Sequence, residues 1–97
     1  MKIHDRDGNV IATSNPPESR IFDGMVIHGA LLAGFELEGI SFDGSDLRGS
    51  DYTGANLDGA DFTGATYDAL TIFPEGFDPA LRGVLLVGTP APPIRHD

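Results

Sequence analysis

The sequence predicts an all-β solenoid, a coil that turns a corner every five residues, and two ladders carry that prediction. Glycine stands at Gly24, Gly29, Gly34, Gly39, Gly44, Gly49, Gly54, Gly59 and Gly64, in phase throughout. Two residues ahead of each glycine comes a bulky apolar residue: Phe22, Ile27, Leu32, Leu37, Phe42, Leu47, Tyr52, Leu57 and Phe62, with Tyr67 continuing the ladder. Helices repeat about every 3.6 residues, strands about every 2 and collagen about every 3, so none of them accounts for a period of five. The apolar ladder is the candidate core. With one five-residue unit per side of a four-sided coil, residue n stacks on residue n+20. The inward columns are then Phe22-Phe42-Phe62, Ile27-Leu47-Tyr67, Leu32-Tyr52-Ile72 and Leu37-Leu57-Phe77.

The residue two before each ladder position also points inward and has room only for a small side chain. Ala30, Ser45, Ser50, Ala55, Ala60 and Ala65 satisfy this, whereas Met25, Phe35 and Ile40 do not, so the first coil is expected to be wider. Before the repeat, KIHDRDGNVIATS reads as a β-hairpin, short alternating arms around a turn at Asp7-Gly8. SNPPES then breaks regular structure, which sets residues 1–19 as an N-terminal hairpin and linker cap and 20–69 as the solenoid. After it, Asp78, Pro79 and Gly83 predict one helical turn over 79–82, with Asp78 as N-cap and Gly83 as stop. Val84-Leu85-Leu86-Val87 is a short strand candidate. Residues 70–89 therefore read as a C-terminal cap and 90–97 as a flexible tail.

Composition bounds the chemistry. The chain has 97 residues and a formal charge of −9, with no cysteine, which removes disulfides and thiolate metal sites. Between residues 20 and 69 nine acids face two bases, Arg20 and Arg48, a net of −7. That balance opposes direct nucleic-acid binding, which needs cations on the phosphates. Met1 to Ser14 has no apolar stretch of a signal peptide and no segment has membrane-spanning length, so a cytoplasmic, bacterial-type protein is expected.

The stretch ANLDG-ADFTG-ATYDA (55–69) resembles the pentapeptide repeat family, whose unit is Ala-(Asp/Asn)-Leu-x-x. SDLRG (45–49) and SDYTG (50–54) fit with serine for alanine, while the units of 20–44 keep the centre and the glycine but lose the Ala-Asp opening. YDALTIFPEGFDP is similar to a frequent terminator in this family. The resemblance covers roughly residues 20–79. It implies a short right-handed quadrilateral parallel β-helix, and it implies little about activity.

No residue set points to catalysis, a metal or a cofactor. Asp5-Arg6-Asp7-Gly8-Asn9 invites a calcium-loop reading, but Ile3 and Ser14 occupy the first and last ligand positions, and a plain hairpin turn explains the motif. His4, His28 and His96 lie in three separate zones without metal-ligand spacing. The protein is expected not to be an enzyme and to bind another protein.

Two features are candidate interfaces. The position just before each ladder residue faces solvent, and in the first coil it is apolar: Ile21, Val26 and Leu31. Either the hairpin (Ile3, Val10, Ile11) covers them, or they form a protein-binding patch. At the far end Val84, Leu85, Leu86 and Val87 either close the column or pair with a second copy, giving a homodimer through the C-terminal end. Three functions follow. The first is a non-enzymatic, acidic interaction module. The second comes from the resemblance: a DNA mimic that inhibits a type II topoisomerase or another DNA-binding protein. Coils stack about 4.8 Å apart, so this column reaches only ~12–15 Å, about four base pairs of B-DNA. The third is an immunity or regulatory partner of a neighbouring gene product.

Overall fold

The computed structural model describes residues 1–88; the expected tail at 90–97 lies outside them. Strands β1 (Lys2–His4) and β2 (Val10–Thr13) form an antiparallel hairpin with Ile3 opposite Ala12. Its turn is built by Asp5, whose carboxylate accepts the backbone N–H groups of Asp7 and Asn9, both at 2.9 Å, while Gly8 takes a φ of +85°. The N–H of Asn9 is the main reason that the Asp5 carboxyl is held below its ordinary pKa. Ile3 and Ala12 are buried against the column, whereas Val10 is exposed and Ile11 only partly covered.

Below the hairpin the chain winds as a β-helix-like coil with twenty residues per turn. Its parallel bridges fall in four rows: Ile21–Ser41–Asp61, Val26–Asp46–Thr66, Leu31–Asp51 and Glu36–Asn56. Each row is a ladder of backbone hydrogen bonds between coils; for example, Ile27 N–H donates to Asp46 O at 2.7 Å and Leu47 N–H to Thr66 O at 2.8 Å. The corners between rows are the glycines. Gly49 has φ +74°, and an added Cβ would make only ordinary contact with the Gly29 nitrogen at 3.7 Å, so the left-handed turn, not the stacking, requires glycine there.

Inside the column Phe22, Ile27, Leu32, Leu37, Phe42, Leu47, Tyr52, Leu57 and Phe62 are all buried, and Tyr67 is half-buried near the lower end. Phe22, Phe42 and Phe62 form one stack, with ring centroids 5.7 and 5.4 Å apart. Ser45 and Ser50 add bonds between coils. The Ser45 hydroxyl donates to Phe22 O and accepts Met25 N–H at 3.1 Å, and that of Ser50 donates to Ile27 O at 3.0 Å and accepts Ala30 N–H at 3.1 Å.

The twenty-residue register ends after Tyr67. Strand β3 (Thr66–Tyr67) pairs with β4 (Leu85–Leu86) at a separation of nineteen, and Asp51 bridges Ile72 at a separation of twenty-one. The Asp68–Thr71 turn inserts the extra residue: Thr71 N–H bonds back to Asp68 O at 3.1 Å. This corrects the column assigned to Ile72. Phe73 lies under Tyr52 instead, 5.7 Å away and 5° from parallel, while Ile72 is 46% exposed. Phe77 packs against Phe73 (4.7 Å) and Phe62 (5.3 Å) and lines the same cleft as Leu57. The helical turn is a 3₁₀ turn over Ala80–Arg82, with Pro79 before it and Gly83 closing it at φ +79°; Asp78 accepts Ala80 N–H at 3.0 Å.

The Tyr52 hydroxyl is buried without a hydrogen-bond partner, and burial pushes the phenol pKa up. Tyr52→Phe removes that unpaired group and keeps the ring stack. The variant is expected to be more stable by about 1 kcal/mol, read as a Tm rise of roughly 4–8 °C. A lower Tm in thermal melts would show that the hydroxyl contributes a bond.

Candidate protein-binding surfaces

The first coil carries an apolar girdle because its outward positions hold aliphatic residues where later coils hold polar ones. Ile21, Val26 and Leu31 are all exposed, Val26 most of all at 63%. The rows below them continue as Ser41, Asp46 and Asp51. Phe35 joins the girdle. Of the three residues too large for a small inward slot, Ile40 is buried and Met25 partly so, whereas Phe35 turns outward.

The hairpin and linker cover the upper edge of this coil unevenly. Leu31 N–H donates to His4 O at 2.8 Å, Asn15 N–H to Ile21 O at 2.9 Å, and the Arg20 guanidinium to Glu36 O at 2.6 Å. Above Val26 no bonding partner is found among the described residues.

At the far end Val84 corrects the four-residue interface. Val84 is only 4% exposed and its N–H donates to Pro79 O at 2.9 Å. The 3₁₀ turn and Gly83 bring it into the column, so it is part of the core. Leu85 and Leu86 remain exposed, with Leu70 and Leu81 nearby in sequence also exposed, and Val87 is half-buried. The strand itself is shorter than the Val84–Val87 run, because only Leu85–Leu86 pairs with β3.

Between the two ends the surface is acidic and its charges are unevenly paired. The Asp46 carboxylate accepts Arg48 Nη2 at 2.7 Å and His28 Nε2 at 2.8 Å. The Arg48 hydrogen bonds, more than the histidine, hold its carboxyl far below the ordinary carboxylate range. Asp51 meets Arg6 of the hairpin at 3.7 Å. Glu38 and Asp58 stand twenty residues apart on another corner, with Asp61 in the adjoining row and Asp78 in the cap segment, and no ion pair engages them among the described residues.

The Asp46–Arg48 pair is partly exposed and screened by solvent, so Arg48→Ala is expected to lower stability only slightly at neutral pH. A carboxyl held low stabilises the fold above its ordinary pKa, and that contribution fades as pH falls through the depressed value. The gap between variant and wild type should therefore close in strong acid. Urea melts at several pH values test this, and a pH-independent gap would assign the loss to packing of the arginine stem.

A cleft of about 300 Å³ opens at the lower end, lined in part by Leu57, Asp58, Glu75, Phe77 and Arg82. Arg82 is committed to structure there: it donates to Ala60 O at 2.8 Å and lies 5.0 Å over the Phe77 ring. No nucleophile and base meet in the cleft, and no group of three or more His, Cys, Asp or Glu positioned to hold a metal is found among the described residues. No helix there is long and apolar enough to cross a membrane.

A family model described as pentapeptide repeats matches residues 27–66 in eight copies. No curated protein matches the chain. Among solved structures, a pentapeptide repeat protein from Nostoc Pcc 7120 is similar at 24% identity, covering 70% of this chain and 85% of its own, with a TM-score of 0.34.

Proposed function

We propose that this chain, whose residues 27–66 belong to the pentapeptide repeat family, is a non-enzymatic protein-interaction module. In this reading the coil is a right-handed quadrilateral β-helix, closed above by the hairpin and below by the segment from Phe73 to Val87. The scaffold holds backbone and side chains in fixed rows and offers no reacting group. Its function then lies in what its surface docks.

The observation that carries this is the apolar girdle of the first coil. Ile21, Val26, Leu31 and Phe35 are all at least 40% exposed on a coil that buries its ladder residues Phe22, Ile27, Leu32 and Leu37. Apolar positions that interrupt an otherwise polar surface mark contact sites. The unpaired acids Glu38, Asp58 and Asp61 would steer a basic partner onto the column, raising its association rate at low salt. Affinity capture with wild type and with a Val26→Asp/Phe35→Asp variant tests the assignment. A protein retained by wild type in high salt and lost with the variant supports it. Capture that salt alone abolishes, or that the variant leaves intact, counts against the girdle.

Self-association through the C-terminal end is favoured by β4, an exposed strand whose lower edge meets no pairing partner among the described residues. A DNA-mimicking inhibitor is favoured by the acidic surface, where Glu38 and Asp58 on one corner and Asp61 in the adjoining row engage no ion pair among the described residues. The short column stands against that second reading, because few base pairs fit its length.

A further inference from the structure

The two ends of the column step in opposite senses. At the upper end the hairpin adds a layer over the Leu31 row, where Asp5 bridges Ala30, and adds none over the Val26 row. Asp46 N–H donates to Met25 O and Ile27 N–H donates to Asp46 O, so both flanking residues bond downward. The alternation of extended backbone therefore turns the Val26 N–H and C=O upward, and no partner meets them among the described residues. At the lower end the pattern reverses. β4 adds a layer under Thr66 on the Val26 row, while Ile72 is the last bridge on the Leu31 row. The N–H groups of Leu85 and Val87 bond upward to Ala65 O and Tyr67 O, which leaves those of Leu86 facing down. A strand is extra at one end and missing at the other, on the same row.

We propose that copies of this chain stack head to tail, the β4 strand of one adding to the open Val26 edge of the next. The inference rests on the reading of β4 as a free edge, and it replaces a two-fold β4–β4 contact with a heterologous one. Repetition along the column keeps strand direction, so the new rung is parallel, like the bridges of all four rows. A two-fold contact would have to be antiparallel. Val26, Leu85 and Leu86 are exposed and uncharged, so the joint buries no unpaired charge. The hairpin of the lower copy stands on the Leu31 row, where the upper copy has no further strand among the described residues. Such a contact does not close on itself, so assemblies lengthen with concentration. Each copy carries −9, which opposes stacking, so added salt strengthens assembly. Docking of a basic partner has the opposite salt response.

Sedimentation velocity on the full chain, from micromolar to millimolar concentration and in low and high salt, reads this directly. Wild type is expected to exceed a dimer at high concentration. Val26→Asp and Leu86→Asp alter exposed positions, and each alone is expected to be a folded monomer, with wild-type circular dichroism. Each retains one intact end, so an equimolar mixture should form a heterodimer and nothing larger. Val26→Lys in place of Val26→Asp should behave the same way. A wild type that stays monomeric removes self-association altogether. A wild-type dimer that survives Val26→Asp and is abolished by Leu86→Asp, with no recovery on mixing, means a two-fold β4 contact and overturns head-to-tail stacking alone. Neither result touches the docking of a separate protein on the girdle.

Discussion

Phe42→Ala is expected to lower the melting temperature by roughly 15–30 °C, from a loss of about 3–5 kcal/mol. Phe42 is completely buried midway along the phenylalanine stack, with Phe22 at 5.7 Å, Phe62 at 5.4 Å and the Tyr52 ring edge-on at 6.1 Å. Alanine there opens a void bounded above and below by coils whose spacing is fixed by ladder hydrogen bonds: Phe22 N–H donates to Ser41 O at 2.8 Å and Phe42 N–H to Asp61 O at 2.7 Å. Coils held at the inter-strand distance cannot collapse into the space, so the cavity term applies nearly in full. Phe42→Leu fills most of that volume and should cost about 1–2 kcal/mol. Thermal or urea melts of the two variants decide it. Equal losses would mean that stacking of the rings, rather than volume, holds the centre of the column.

The coil was legible in the sequence because its two signals are periodic and coincide. Glycine marks the corner and a large apolar residue marks the side, and both have the same five-residue phase from Phe22 to Gly64. The twenty-residue bridges follow from that phase once the coil has four sides. What failed to show was whatever depends on the third dimension. Ala69 stands where the next glycine would fall, a visible sign that the phase ends. It does not say that the Asp68–Thr71 turn takes one extra residue, and that single slip is what puts Phe73 under Tyr52 and sends Ile72 out. Ser45 and Ser50 read only as small fillers. Their bonds to the coil above require hydroxyls at the level of the Phe22 and Ile27 carbonyls, a matter of stacking and not of spacing. Phe35 and Ile40 occupy the same slot in successive units, yet one turns outward and the other is buried. The exposed positions of Ile21, Val26 and Leu31 were legible from their outward phase, but the open Val26 edge was not, since it depends on where the hairpin lands.

Val84→Asp and Leu86→Asp, two residues apart, should have opposite consequences. Val84 is buried and tied by its N–H to Pro79, beneath the last coil. A carboxylate there would be buried, and the neighbouring Arg82 is already committed to Leu57 O and Ala60 O, so the variant is expected to lose about 3–5 kcal/mol at neutral pH. Burial raises the folded-state pKa of such a group above its unfolded value, so protonation favours the folded state and part of the loss is recovered as pH falls. Leu86 is 55% exposed, and its replacement should change stability by about 0.5–1 kcal/mol with no comparable recovery in acid. Urea melts of both variants at neutral and mildly acidic pH separate the cases. A pH-dependent collapse of Val84→Asp beside a stable Leu86→Asp means that the same four-residue run closes the column with its first residue and offers its exposed leucines outward. Equal tolerance of both would mean that the lower end is not packed on Val84, and that β4 peels from Thr66 and Tyr67 without opening the core. The comparison also conditions any test of self-association. Loss of assembly in Val84→Asp would report only a broken cap, whereas loss in Leu86→Asp, with the fold intact, would report a contact.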